Sequence, residues 1–143
     1  MKLHMEYNHW ANECYIEKLS TLSIGKGHEI LGHILTAHSL WLDRINAEPF
    51  RYGIWQNIPK ENWRKLNNDN YQRSMSILEH KVPESIIEYE DHKGNFQVKW
   101  LRDIISHINL HGAYHRGQLA FMLRQSNIIP PITDYSDFIS EDD

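Results

Sequence analysis

The chain has 143 residues, a formal net charge of −4 with histidine neutral, 41% hydrophobic and 24% charged residues, ten histidines and one cysteine. This size and balance are ordinary for one globular domain and exclude wholesale disorder, and the chain has neither the Lys/Arg run of a nucleic-acid binder nor the roughly 18 consecutive apolar residues of a membrane span. We therefore expect neither a nucleic acid nor a membrane as partner. A lone cysteine cannot form an internal disulfide, so we expect a cytoplasmic protein.

The first half of the chain predicts two helices and an apolar loop. Residues 4–22 lack Gly and Pro, and their apolar side chains recur mostly at three- and four-residue steps, which predicts a helix that Gly25 and Gly27 help to end. The buried face of this helix is predicted to carry Tyr7, Trp10, Cys14, Ile16 and Leu19. Residues 28–46 predict a second helix. Residues 47–59 predict a loop that packs over one end of the domain through Phe50, Tyr52, Ile54 and Trp55.

The second half predicts two more helices with a hairpin between them. Residues 60–80 predict a third helix, which Pro83 stops. Residues 86–90 and 96–100 alternate apolar and polar side chains around a turn that contains Gly94, which predicts a β-hairpin leaning on a helix. Residues 101–125 predict the last helix, and the remaining tail is expected to be non-helical with a solvated acidic end at Glu141, Asp142 and Asp143.

Four amphipathic helices of similar length predict an all-α fold. We expect a single domain over residues 1–143, built as a four-helix bundle with a short β-hairpin before the last helix. The long connections between helices 2 and 3 and between helices 3 and 4 allow crossovers.

The histidines of the last helix carry the strongest chemical signal. The core positions of residues 101–125 follow three- and four-residue steps, and His111 and His115 occupy two of them. Two imidazoles four residues apart on one helical face converge, as the two metal ligands of a zincin helix do. His107 lies at the edge of the same face. The small Gly112 and Ala113 are expected to leave room beside the site. Buried neutral histidines satisfied by hydrogen bonds would give the same pattern.

A third inward histidine strengthens the metal interpretation. His33 lies at the margin of the buried face of the second helix and would complete three nitrogen ligands, which is the protein contribution to an open, catalytic type of site. Imidazole suits Zn, Ni, Cu and Fe alike, so the ligand type does not identify the metal. His38 lies about 140° around the helix from His33 and is expected to pack nearby without binding the same ion.

The remaining candidates have structural interpretations. His4, His9, His28, His80 and His92 are expected on the surface. Cys14 is expected to be a buried, inert thiol. The acidic residues around the hairpin form no convincing set, and the sequence contains no hydrolase, phosphate-binding or dinucleotide-binding motif.

Several segments together resemble one known family. The segment His107–Gln118, which ends in His115-Arg-Gly-Gln118, closely resembles the hallmark of the DinB-like (YfiT-like) family of metal-binding four-helix bundles, which is unrelated to the DNA polymerase of the same name. Leu31–Arg44 looks like the family's second helix, and Tyr7–Asn12 is similar to its first. The resemblance implies that His33, His111 and His115 bind one divalent transition metal ion per chain, with Zn or Ni favoured. Relatives often have Asn where this chain has Leu110.

The resemblance also implies an activity. Some members of the family are thiol transferases or isomerases that use bacillithiol or mycothiol, so we expect a small-molecule thiol and an electrophile as partners, in stress or detoxification. The chemistry is coherent, since a metal with open positions lowers the pKa of a bound thiol. The catalytic residues themselves stay unknown. Arg116 and Gln118 could orient helix or substrate, although a salt bridge or an interface contact is the simpler role for Arg116.

Two alternatives remain open. The metal could activate water for hydrolysis, although no inward carboxylate offers a general base. The protein could also be a non-enzymatic metal-binding bundle, in which the aromatic loop 50–55 supplies the interface of a homodimer.

Overall fold

The computed structural model describes residues 1–139, and it is mostly helical with one antiparallel hairpin. The expected acidic end, Glu141 to Asp143, lies outside these residues. The elements in chain order are α1 (Lys2–Ser20), α2 (Gly25–Asn46), a 3-10 turn (Lys60–Asn62), α3 (Trp63–His80), β1 (Ile86–Glu90), β2 (Phe96–Trp100), α4 (Leu101–Gln125) and α5 (Tyr135–Phe138). No helix within the described part is long and apolar enough to cross a membrane.

The predicted helices and strands are all present, with bounds that differ from the observed ones by at most three residues, and three details differ. Gly25 and Gly27 do not end α1; they lie in the first turn of α2. The third helix begins with the short 3-10 turn and becomes α-helical at Trp63. The tail is not wholly irregular, because Tyr135 to Phe138 form one further helical turn, so residues 1–139 contain five helices and the predicted count of four is not exact.

The hairpin fixes the start of the last helix. Gly94, with φ of 82°, forms the turn, and β1 and β2 pair from Ile86 with Trp100 to Glu90 with Phe96. Ile87 of β1 is buried among residues of α2, α3 and α4, as expected for a hairpin that leans on helices. The backbone N–H of Leu101 donates to the carbonyl of Ser85 at 2.8 Å, which satisfies a donor at the beginning of α4. The hairpin therefore packs against helices, as predicted.

The interior consists of two apolar clusters with a polar layer between them. The first cluster joins the C-terminal halves of α1 and α4 to the N-terminal half of α2, and the second joins the opposite halves of these helices to the hairpin. Each long helix contributes buried polar residues between the two clusters. These are Asn8 and Asn12 on α1, His33, Thr36, His38 and Ser39 on α2, Asn67, Asn70 and Ser74 on α3, and Arg116 on α4.

This layer corrects the predicted face of α1. The buried residues of α1 are Met5, Asn8, Ala11, Asn12, Tyr15, Ile16 and Leu19. Tyr7, Trp10 and Cys14 are only partly buried. The apolar pattern alone missed this face because two of its central positions are asparagines, whose amides bond to groups on α3 and α4.

Candidate metal centre

The structure brings His33, His111 and His115 together at one point between α2 and α4. One nitrogen of each imidazole lies within 4.8 Å of a nitrogen of the other two. His33 is buried, and His111 and His115 are partly buried. His107, His38 and the other described histidines do not belong to this group.

Each position follows from the helix that carries it. His111 and His115 are four residues apart on α4, and their ring centroids lie 4.4 Å from each other. The ring of His33 on α2 meets both, at 5.0 Å from His111 and 4.8 Å from His115. Because α2 and α4 pack along their length, the three rings close a small space between the helices.

Hydrogen bonds orient two of the three rings. His33 donates from Nδ1 to the carbonyl of Ile54 at 2.9 Å, and His115 donates from Nδ1 to Oε1 of Gln118 at 2.6 Å. These bonds place the single ring proton of each neutral imidazole on Nδ1 and leave Nε2 unprotonated. A neutral imidazole held in this way is the usual metal ligand.

The spacing and the charge state of the group also fit a metal. Nε2 of His111 and Nε2 of His115 lie 3.1 Å apart. Two nitrogens bound to one tetrahedral zinc ion would lie about 3.3 Å apart, given Zn–N bonds of about 2.05 Å. Burial, reinforced by the neighbouring His115, lowers the pKa of His111 to about 4. Burial also lowers the pKa of His33. Both are therefore neutral near pH 7, as ligands must be.

The loop before α3 covers one side of the group. The indole of Trp55 stacks on the ring of His33 with centroids 3.8 Å apart and planes 5° from parallel. Thr36 donates to the same Ile54 carbonyl as His33, at 2.6 Å, and so ties the loop to α2. The loop was predicted to pack over one end of the domain through four apolar side chains. Only Tyr52 is partly buried against the first apolar cluster, whereas Phe50, Ile54 and Trp55 are exposed. Sequence reasoning placed Trp55 in an apolar loop but did not connect it to His33.

His38 lies in the core apart from the group. Ser74 uses its only proton to bond the Asn70 carbonyl, so His38 must donate from Nε2 to the Ser74 oxygen, at 2.8 Å. Its Nδ1 has no partner among the described residues. Burial lowers its pKa to about 3, with a smaller contribution from the positive Arg73. The expected packing role agrees with these contacts.

Three surface or burial expectations hold only in part. His28 is partly buried, because its Nε2 lies 3.1 Å from the carbonyl of Leu19 and 2.9 Å from that of Leu22 and its ring meets Trp63 edge-on. His9 is partly buried, with Nε2 2.7 Å from Asn68 Oδ1. Cys14 is only partly buried, and this burial still raises the pKa of its thiol, as the nearby Glu17 also does. His4, His80 and His92 are exposed, as predicted.

Arg116 and Gly112 differ from their predicted roles. Arg116 is 2% exposed, and its Nη1 donates to Oδ1 of Asn8 and of Asn12; within residues 1–139 it forms no salt bridge. Gly112 does not leave room beside the histidines. A Cβ on Gly112 would lie 2.6 Å from Asn8 Oδ1 and 2.9 Å from Arg116 Nη1, so its missing side chain makes room for that polar contact.

Comparison with known families identifies the chain. A sequence model of the DinB family matches residues 3–143. The protein belongs to the DinB family. No curated protein matches it. The matched residues include His33, His111 and His115, the three histidines that could hold a metal. The DinB resemblance drawn from the sequence is therefore confirmed.

Proposed function

We propose that this DinB protein is a metal-dependent transferase that joins a low-molecular-weight thiol of the bacillithiol type to an electrophile in the cytoplasm, in stress or detoxification. In this proposal one divalent ion, zinc or nickel, sits among His33, His111 and His115 of a four-helix bundle. The observation that supports the proposal is the arrangement of the three rings. His33 and His115 each donate a hydrogen bond from Nδ1, and burial lowers the pKa of His33 and His111. Nε2 of His111 and Nε2 of His115 lie 3.1 Å apart.

The residues around the group have distinct roles in the proposal. Gln118 and the Ile54 carbonyl hold the rings of His115 and His33 so that each Nε2 points to one place. A bound divalent metal supplies a lowered thiol pKa, so that a thiolate is available near neutral pH. Trp55 shields one face of His33 from water, and the exposed ring of Tyr114 lies 5.1 Å from His115. These aromatic surfaces suit an electrophile with an apolar body.

The donor set favours a thiol over water as the activated nucleophile. Among the described residues, the group that could hold a metal contains imidazoles and no carboxylate. Hydrolysis through a metal usually needs a carboxylate as general base, as in the zincin helix. A thiol ionises much more readily than water, so its deprotonation needs no such residue.

Metal retention tests the ligands. We expect His115→Ala to lose the metal that the wild-type protein retains after purification and dialysis, because two imidazoles rarely hold an ion against water. His107→Ala is the matched control: its ring lies 5.7 Å from that of His111 on the same helix, yet it is outside the group. Equal metal content by elemental analysis in both variants would show the ligand assignment to be wrong.

Thiol consumption tests the reaction. With bacillithiol and chlorodinitrobenzene, the sulfur forms a bond to the ring carbon, chloride leaves, and the thiol proton passes to water. We expect turnover by the metal-loaded wild-type protein, and none above background by His115→Ala. A metal-loaded protein that consumes no thiol with several thiols and electrophiles would contradict the transferase proposal. If removal of the metal instead abolished self-association, the non-enzymatic homodimer would be the better explanation.

A further inference from the structure

The side of α4 that points away from the core carries a row of large apolar side chains. Leu110, Tyr114 and Phe121 are 70%, 68% and 60% exposed, although they lie well inside a long helix. Their spacing of four and seven residues keeps them on one side of α4, opposite its buried residues. We call these three residues the outer ridge. Scattered exposed apolar residues are ordinary, but a continuous row of them marks a surface that packs against another molecule.

The end of the chain and a membrane both fit the outer ridge poorly. Residues 140–143, which lie outside the described part, read Ser-Glu-Asp-Asp and supply no apolar side chain to cover it. A helix that lies on a membrane carries several Lys or Arg residues beside its apolar row. The charged residues next to the ridge are instead one acid and one base, Asp103 and Arg124, and α4 contains no lysine. Another protein surface is therefore the better match.

The two charges make the outer ridge complementary to a second copy of itself. Asp103 and Arg124 are exposed on the ridge side of α4, and within residues 1–139 neither forms an ion pair. Along the helix axis Asp103 lies about 16 Å before Tyr114, and Arg124 lies about 15 Å after it. If two copies of α4 pack antiparallel about a two-fold axis at Tyr114, each Asp103 lies beside the partner's Arg124. A parallel pair would instead place like charges together.

We propose that the outer ridge is the interface of a two-fold symmetric homodimer in which two copies of α4 pack antiparallel. The three apolar side chains of each copy bury roughly 400 Å². With their neighbours on α4 this gives an interface near the low end of specific interfaces, about 1,200 Å² in total, so the dimer is reversible. The dimer needs no bound metal and does not depend on the transferase proposal. Because Tyr114 also lies against His115, the tests use the other residues of the interface.

Sedimentation equilibrium of the full-length protein, from about 1 to 100 μM, measures the self-association. We expect the wild-type protein to exchange between monomer and dimer in this range. Phe121→Ser should weaken the association about tenfold or more, because it removes an aromatic side chain from each half of the interface. Phe96→Ser is the matched control, since Phe96 is 68% exposed at the turn end of β2, away from α4, and it should leave the association unchanged.

Reversal of the charges tests the antiparallel register. Asp103→Arg and Arg124→Asp should each weaken the dimer several-fold at low ionic strength, because each substitution places like charges opposite one another. The protein that carries both substitutions should regain the association of the wild type, because each copy again presents opposite charges to the other.

Three results would overturn the proposal. The first is a wild-type protein that stays monomeric over the whole concentration range, which is read without any variant. The second is a dimer that Phe121→Ser leaves as stable as before; if Trp55→Ser then dissociates it, the aromatic loop 50–55 is the interface. The third is a double charge variant that associates as weakly as the single ones, which would exclude the antiparallel pairing of α4.

Discussion

Substitution of two glycines of α4 by alanine should change the stability of the protein in opposite directions. Gly112→Ala would place a Cβ 2.6 Å from Asn8 Oδ1 and 2.9 Å from Arg116 Nη1, both closer than such atoms normally come. Asn8 and Arg116 are each 2% exposed, so neither can swing into water to make room. Gly117→Ala, five residues further along, would meet nothing within 4 Å.

The expected magnitudes follow from competing terms. Alanine is favoured over glycine inside a helix by about 1 kcal/mol, and Gly117→Ala should gain most of this. Gly112→Ala gains the same amount but overpacks the interior, at about 1–3 kcal/mol, and displaces a charge-assisted hydrogen bond worth about 1.5–3 kcal/mol. We therefore expect Gly112→Ala to lower the free energy of unfolding by about 3 kcal/mol.

Urea unfolding at neutral pH measures both changes in the same protein. The wild-type chain, Gly112→Ala and Gly117→Ala would be compared at equal slope, so that a shift of the midpoint reports stability. If Gly112→Ala is as stable as the wild type, the close contact between Asn8 and Arg116 beneath Gly112 does not exist. If both variants lose stability, the loss has a cause other than this contact.

Three further results are expected. Because folding lowers the pKa of His38 from 6.5 to about 3, the unfolded chain binds more protons between these values, and stability should fall as the pH drops below 6.5. The loss of stability should reach about 2 kcal/mol at pH 5 in the wild-type protein and should be smaller in His38→Gln. Urea unfolding midpoints that depend equally on pH in the two proteins would contradict this expectation. Asp43→Asn should cost about 3 kcal/mol in the same assay, because the fully buried Asp43 carboxylate accepts from Arg73 at 2.6 Å; an unchanged midpoint would mean that the pair is not formed. Gln118→Ala should weaken metal binding about tenfold or more without abolishing it, because His115 loses the acceptor of its Nδ1 proton; competition with a chelator measures this, and unchanged affinity would contradict it.

Much of the fold could be predicted because its signals are local. The hairpin residues alternate between apolar and polar, and both strands have the predicted bounds. The last helix also has its predicted bounds, because a long run of three- and four-residue steps has no competing interpretation. His111 and His115 could be paired from their spacing alone. His33 could be added because it lies on the inward side of α2.

The polar layer could not be predicted because it depends on contacts between residues that are far apart in the sequence. Asn8 and Asn12 look like surface residues in the sequence, yet they are buried because Arg116 and Asn67 lie opposite them on other helices. The stacking of Trp55 on His33 depends on the path of an irregular loop, which periodicity does not describe. Local patterns therefore predict which residues could be ligands, and tertiary contacts decide what supports them.

Two faces of α4 that make different contacts alternate along its sequence. One face carries His111 and His115, and the other carries Gly112 and Arg116, so each member of one pair is followed directly by a member of the other. A rotation of the helix that opened space for a larger residue at 112 would turn both imidazoles away from His33. The rotation of α4 about its own axis is therefore fixed by contacts on both faces. A substitution at any of these four residues disturbs the other face as well.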